Sequence, residues 1–158
     1  MEQMPPGMFD LRDAPMPRFD LLDPEKYNRI TVQTSRGCPH RCEFCASSVL
    51  LTPRYKLKPV EKVLGEIHAI KRLWSRPFIE FADDNSFVHV DHYKRLLRAL
   101  VPEGLRWFTE ADVRVAEDDE LLSLMGYHVT PHSVGRVGDW LDPLSVARGG
   151  FAFVRNSQ

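Results

Sequence analysis

The hydrophobic positions between residues 29 and 125 alternate between two periods, one typical of strands and one typical of helices. Residues 30–34 form an alternating β-branched run, which predicts a strand. Residues 78–82 and 106–110 predict two further strands. After each of these runs, apolar residues recur at helical spacing, over residues 60–74, 93–100 and 117–125.

Three strand–helix units in succession predict an α/β fold with a parallel sheet, because parallel strands need a long crossover that is usually a helix. Folds of this kind carry their chemistry at the C-terminal ends of the strands. A cysteine-rich loop, the triplet Asp83-Asp84-Asn85 and Glu110 each follow or end one of the predicted strands. The sequence therefore predicts that these residues share one edge of the sheet.

The segments on either side of this region differ from it in composition. Residues 1–28 hold five of the twelve prolines, which sustain neither a helix nor a central strand, and we interpret them as an arm or linker. Residues 126–158 hold five of the nine glycines and show no lasting periodicity apart from a candidate short strand at 127–130. We therefore expect one domain over residues 29–125, followed by an irregular tail.

Charge and hydropathy exclude two broad classes of protein. The net charge of −1 gives no global basic character for binding nucleic acid, and no apolar run approaches the roughly 20 residues of a membrane span. The N-terminus lacks the features of a signal peptide, which predicts a cytoplasmic chain. Residues 25–76, around the cysteines, carry eleven basic and four acidic side chains, a net charge of +7. This block is either a solvated face or an electropositive pocket for an anionic cluster and its ligand.

The three cysteines, Cys38, Cys42 and Cys45, stand within eight residues in the spacing C-x3-C-x2-C. An odd number of cysteines this close together is not a disulfide framework, and in a reducing compartment it is typical of a metal or redox site. A cubane iron–sulfur cluster usually takes four thiolates, so three would leave one iron open to another ligand. The alternative is a zinc site that uses His40 as its fourth ligand.

The loop resembles that of the radical S-adenosylmethionine superfamily, in which this spacing follows the first strand and an aromatic residue, here Phe44, precedes the last cysteine. The resemblance implies a 4Fe–4S cluster on Cys38, Cys42 and Cys45, with S-adenosylmethionine bound at the open iron. It further implies reductive cleavage of S-adenosylmethionine to a 5′-deoxyadenosyl radical, with an electron donor such as flavodoxin or ferredoxin.

A narrower resemblance, to the radical domains of cobalamin-associated enzymes, covers about residues 17–125. The stretches that carry it are 17–22, 35–39, 81–85 and 107–110. Such enzymes often have a cobalamin-binding domain upstream, and because the arm here begins at the first methionine, cobalamin is in doubt.

The resemblance also implies where S-adenosylmethionine is held. The triplet Asp83-Asp84-Asn85 lies where the superfamily has a motif for the amino group of this ligand, and carboxylate and amide oxygens suit an ammonium donor. Glu110, at the end of the third strand, is a further candidate, and no side chain is assigned a catalytic role. The alternatives are an Asx-turn that caps the next helix for the triplet, and a solvated strand end for Glu110.

The radical domains of this family are partial TIM-type barrels with more strand–helix units than the three predicted here. Two explanations follow: a truncated or frame-shifted reading frame whose tail is out of frame, or a short protein that completes its barrel with a partner. Either way, we expect an open sheet edge with unpaired backbone groups and a tendency to self-associate through it. The alternatives to an active enzyme are a metal-binding module, with an iron–sulfur cluster or zinc, that has no turnover, and a non-functional truncated fragment.

Overall fold

A computed structural model of the chain describes residues 9–40, 45, 54–125 and 151–155. The main sheet in this part has four strands, in the order β1 (Ile30–Val32), β4 (Phe78–Ser86), β5 (Arg106–Asp112) and β6 (Phe151–Arg155). Strands β1, β4 and β5 are parallel, and β6 is antiparallel to β5. Two short antiparallel strands, β2 (Ser35–Arg36) and β3 (Lys56–Leu57), form a separate pair, of which β2 lies against β4.

Helices α1 (Val60–Leu73) and α2 (Val90–Leu100) connect the parallel strands, and the short α3 (Asp119–Leu124) follows β5. Pro59 precedes the first turn of α1, where the missing N–H of proline costs no helical hydrogen bond. The α/β class and the parallel order of the three predicted strands are confirmed. The closure of this sheet into part of a barrel stays a prediction. Among the described residues, no helix has the length and apolar character needed to cross a membrane.

The core lies between one face of the sheet and helices α1 and α2. Val63, Ile67 and Ile70 of α1 are fully buried and belong to the same cluster as Ile79 of β4. Burial of each such side chain stabilises the fold by about 1.5–3 kcal/mol. The opposite face of the sheet carries exposed side chains, namely Thr31, Ala82 and Glu110.

The described part of the arm, residues 9–28, packs against this body. Leu11 and Phe19 are buried. Lys62 Nζ, on α1, donates a hydrogen bond to the carbonyl of Ala14 at 2.8 Å. The arm is therefore held in place by apolar burial and by a tie to the first helix.

Strand β4 is longer than the sequence pattern predicts, because it continues past residue 82 through the triplet to Ser86. Its register with β5 shifts between Phe81 and Ser86. The triplet does not cap the next helix, because the residue before α2 is His89 and no side chain caps that end. The Asx-turn interpretation of the triplet is therefore wrong, and its side chains bond to other segments instead.

Two further differences concern the C-terminal third. Helix α3 begins at Asp119, two residues later than expected, because the side chain of Asp118 accepts a hydrogen bond from Leu121 N at 2.9 Å and caps it. Strand β6 lies in the tail that was expected to be irregular, and it pairs with the edge of β5 that was expected to be open. Residues 151–155 include two phenylalanines and a valine, which favour strands. The two glycines just before them disfavour a strand, so the sequence pattern did not predict one here. The candidate strand at 127–130 lies outside the described residues.

Candidate functional site

The C-terminal ends of β1, β4 and β5 meet at the segment that leads into the cysteine loop, as the sequence predicts. Cys38 is buried and Cys45 is half-buried, and both are free thiols. Cys42 and Phe44 lie outside the described residues. The site can therefore be built from the side chains that fix the segment around Cys38.

Asp83 binds the start of this segment. Its Oδ1 accepts hydrogen bonds from the backbone N–H groups of Thr34 and Ser35, both at 2.7 Å. Its Oδ2 accepts from the hydroxyl of Thr34, from Ser86 Oγ at 2.9 Å and from the Tyr93 hydroxyl at 3.0 Å. Oδ1 thus accepts two hydrogen bonds and Oδ2 accepts three, and Asp83 itself is buried. Its contacts in the structure are therefore to the protein's own backbone and hydroxyl groups.

Asp84 binds the same segment three residues further on. Its Oδ2 accepts a hydrogen bond from Gly37 N at 2.7 Å. Gly37 has a φ of 86°, a left-handed conformation that favours glycine. Since Gly37 immediately precedes Cys38, this turn and its hydrogen bond set the direction in which the chain enters the cysteine loop.

Asn85 links the cysteine segment to the end of β5. Its Nδ2 lies 3.8 Å from Cys38 Sγ and donates to Asp112 Oδ2 at 3.2 Å. Its Oδ1 accepts from Asp112 N at 3.0 Å. Asn85 has no exposed surface, so both ends of its amide serve contacts within the protein.

Asp112 is a site residue that the sequence analysis did not single out. Arg114 donates to it through Nε at 3.0 Å and Nη2 at 2.8 Å. Burial by itself would raise the pKa of Asp112, but the hydrogen bonds from Arg114 and Asn85 outweigh burial and hold the pKa well below its usual range. Asp112 stands two residues after Glu110 and therefore on the same face of a strand. This spacing is the sequence signal that indicates Asp112 as a site residue.

Glu110 lies at the same end of the sheet but is exposed. Its carboxylate makes no hydrogen bond or ion pair with another described residue. The structure therefore brings Asp83, Asp84 and Asn85 onto the cysteine segment and does not bring Glu110 there. A role for Glu110 in ligand binding stays a prediction.

Buried Tyr93 and half-buried Tyr55 complete the site, and the sequence analysis missed both of them. The Tyr55 hydroxyl donates to the Asn85 carbonyl at 2.9 Å and lies 3.0 Å from the Tyr93 hydroxyl. Burial raises the pKa of Tyr55 to about 12. Burial and the charge of Asp83 raise the pKa of Tyr93 well above its usual value. Both phenols therefore stay protonated at neutral pH and act as donors.

The zinc alternative requires His40 as a ligand. His40 Nε2 lies 3.2 Å from Asp112 Oδ2 and 2.5 Å from Arg114 Nη2, so this nitrogen faces an ion pair. The described residues contain no group of three or more histidine, cysteine or acidic side chains that could hold a metal ion, although Cys42 is not among them. The position of His40 gives the zinc alternative no support.

The basic block of residues 25–76 is dispersed rather than gathered at the cysteines. Arg36 is exposed, and Arg41 lies outside the described residues. Several of the other positive charges pair with acidic side chains, namely Lys58 with Glu66, Arg29 with Glu80 and Lys71 with Glu103. In the part of the chain that the structure describes, this favours paired and solvated charges over an electropositive pocket.

The sequence is similar to several characterised and uncharacterised proteins, although no protein-family model matches it. A methyltransferase of Synechocystis sp., itself uncharacterized, is 36% identical over 122 residues, which are 73% of this chain and 23% of that protein. The hopanoid C-3 methylase of Methylococcus capsulatus is 30% identical over 115 residues, which are 66% of this chain and 21% of that protein. The chain thus spans less than a quarter of the length of these relatives.

Among solved structures, the radical S-adenosylmethionine methyltransferase TsrM from Kitasatospora setae, with cobalamin and a [4Fe-4S] cluster bound, is similar over 63% of this chain and 16% of that chain. The sequence identity is 22% and the TM-score is 0.46. The curated relatives and the C-x3-C-x2-C loop after the first parallel strand agree with the resemblance found in the sequence. The chain belongs to the radical S-adenosylmethionine superfamily and is related to its methyltransferases.

Proposed function

We propose that this chain is the part of a radical S-adenosylmethionine enzyme that holds the iron–sulfur cluster and S-adenosylmethionine. Cys38, Cys42 and Cys45 are the proposed ligands of a 4Fe–4S cluster with one open iron. When bound, the reduced cluster supplies the electron that cleaves S-adenosylmethionine to a 5′-deoxyadenosyl radical. The observation that carries the proposal is that Asp83 and Asp84 bond directly to the backbone leading into Cys38.

The described residues fit such a cluster. Cys38 is buried, which keeps water from its sulfur, and the Asn85 amide lies within reach of that sulfur. A hydrogen bond to a ligating thiolate stabilises its negative charge and tunes the metal centre. Asn85 thus has the chemistry of an outer-sphere donor to the first cysteine ligand.

Asp84 is the member of the triplet that best suits the amino group of S-adenosylmethionine. One of its oxygens accepts the hydrogen bond from Gly37 N, and its Oδ1 accepts none from the described residues. Asp84 is half-buried, whereas Asp83 and Asn85 are buried in contacts of their own. An ammonium group beside Asp84 would form a charge-assisted hydrogen bond. Glu110, exposed at the same end of the sheet, is the second candidate carboxylate, and Phe44 stays a candidate beside the cluster.

Space for a ligand exists next to this edge of the sheet. A cavity of about 480 Å³ opens between the arm and the exposed face of the sheet, and its lining includes Gln33 and Ala82. These two residues immediately precede Thr34 and Asp83, which lie in the site. We include this cavity in the proposed ligand-binding region.

For the whole protein, the relatives named as methyltransferases and methylases support a methyl-transfer reaction that starts from S-adenosylmethionine. An electron donor such as flavodoxin or ferredoxin belongs to the same proposal, because the cluster must be reduced before it acts. The proposal does not extend to cobalamin.

The test is anaerobic reconstitution of the chain with iron and sulfide, followed by metal analysis. We expect about four irons and four sulfides per chain, and their loss in Cys38→Ala, Cys42→Ala and Cys45→Ala. His40→Ala should keep the cluster. Incubation with dithionite and S-adenosylmethionine, with chromatography for 5′-deoxyadenosine, then measures cleavage, which we expect to be slow or undetectable for this chain alone. Tightly bound zinc that is lost in His40→Ala would overturn the proposal.

A further inference from the structure

The cysteine loop is closed at its base by a very short pair of strands. Strands β2 and β3 pair through only two residues on each side, Ser35 with Leu57 and Arg36 with Lys56. All three cysteines lie between these strands. Two residue pairs are too few to hold a loop of this length in one place by themselves. The position of the loop must therefore depend on what ties its two ends to the main sheet.

The outgoing end of the loop bonds directly to the carboxylate of Asp83, and the returning end contacts Tyr93, which bonds to the same carboxylate. On the outgoing side, Thr34 and Ser35 donate their backbone N–H groups to Asp83 Oδ1. On the returning side, the Tyr55 hydroxyl lies 3.0 Å from the hydroxyl of Tyr93, which donates to Asp83 Oδ2 at 3.0 Å. A buried charge with several hydrogen bonds fixes its partners strongly, because leaving any of them unsatisfied away from water is costly.

Resting on the proposed function, we infer that Asp83 is a positioning residue of the cysteine loop and not a ligand of S-adenosylmethionine. Asp83 acts through Thr34, Ser35 and Tyr93 to hold the two ends of the loop at the sheet edge. Three thiolates must converge on one cluster, and holding the loop ends before the cluster arrives removes part of the entropy cost of that convergence. Loss of this hold should therefore loosen the loop and impair cluster assembly.

The test uses Asp83→Asn in the full chain, with Glu80→Gln as the matched control. Asparagine keeps the shape of the side chain but places an NH2 group among hydroxyl donors. Glu80 lies on the same strand and loses the same charge, but its partner is Arg29, away from the cysteine segment. In the protein without metal, hydrogen exchange of residues 33–38 should speed up by about tenfold or more in Asp83→Asn and stay unchanged in Glu80→Gln.

After reconstitution, Asp83→Asn should hold less iron and sulfide than the parent chain, while the fraction that does carry a cluster binds S-adenosylmethionine with unchanged affinity. A direct ligand role would give the opposite result: full iron content and weakened binding of S-adenosylmethionine. Parental exchange together with parental iron content would overturn the inference.

A second variant and a separate readout complete the test. Where Asp83→Asn does not fold, Tyr93→Phe replaces it, because this variant removes one donor to Asp83 and the link to Tyr55 while keeping the ring. Hydrogen exchange of residues 33–38 should be faster in Tyr93→Phe than in the parent chain and in Glu80→Gln. Unchanged exchange in Tyr93→Phe would contradict the inference. Should the parent chain bind no cluster at all, the proposed function fails, while the exchange measurement still decides whether Asp83 holds the loop.

Discussion

Asn85 Nδ2 lies 3.8 Å from Cys38 Sγ, although 47 residues separate the two in the sequence. The same amide bonds twice to Asp112 at the end of β5. One buried side chain on the central strand therefore connects the segment after β1 with the end of β5. This contact places Cys38 at the C-terminal edge of the sheet, where α/β folds carry their chemistry.

Replacement of Asn85 by alanine should destabilise the protein and disturb the cluster. It leaves the backbone N–H of Asp112 without its partner, which costs about 1–3 kcal/mol, and it removes one of the donors to Asp112 Oδ2. Chemical denaturation of the protein without metal measures this loss. Asn28→Ala, at an exposed position in the arm, is the control and should change the free energy of unfolding by less than about 0.5 kcal/mol. Equal stability of the two variants would contradict the bridging role of Asn85.

Asp84→Asn should weaken S-adenosylmethionine binding and spare the cluster. The asparagine oxygen can still accept the Gly37 N–H, but the charge that would pair with the ligand's ammonium is gone. We expect a loss of about 1.5–3 kcal/mol in binding free energy, measured by equilibrium dialysis on reconstituted protein. Asp91→Asn, exposed in the first turn of α2, should bind as the parent does. Unchanged affinity in Asp84→Asn would shift the ligand role to Glu110 or to residues outside the described part.

The stability contributed by Asp112 should depend on pH in a definite direction. Burial would raise the pKa of Asp112, but the hydrogen bonds from Arg114 and Asn85 lower it below its unfolded value. A lowered folded-state pKa stabilises the protein above the unfolded pKa, about 3.9, and this contribution is lost as the pH falls below that value. The difference in unfolding free energy between the parent and Asp112→Asn, without metal, should be constant from about pH 5 to 7 and shrink below about pH 4. A difference that grows on acidification would contradict this.

The buried pair of Lys58 and Glu66 gives a prediction about the fold rather than the site. Both side chains are 5% exposed, and Nζ lies 2.8 Å and 3.0 Å from the two carboxylate oxygens. Lys58→Met leaves an unpaired buried carboxylate and should cost about 3–5 kcal/mol, most of which Lys58→Met combined with Glu66→Leu should recover. Urea denaturation measures both. Arg29→Met, which breaks a partly exposed pair with Glu80, should cost less than about 1 kcal/mol.

The sequence predicts those elements of the structure that depend on the short-range spacing of apolar residues. The apolar spacing of α1 and α2, the β-branched run of β1 and the apolar residues at the start of β4 depend on neighbours a few residues away, so the sequence indicates them. The roles within the triplet depend on partners 27 to 49 residues away, such as Thr34 and Asp112, and on a register shift that sequence periodicity does not show. The sequence thus predicts that the triplet faces the cysteine loop but not that Asp83 binds its backbone.

The electron paramagnetic resonance spectrum of the reduced, reconstituted chain tests the central claim most directly. The account holds that Cys38, Cys42 and Cys45 hold a 4Fe–4S cluster whose fourth iron is open to S-adenosylmethionine. S-adenosylmethionine should therefore shift the spectrum of the parent chain, and the Asp91→Asn control should show the same shift. A cluster whose spectrum does not respond to saturating S-adenosylmethionine, or a chain that holds zinc and no cluster, would contradict the account.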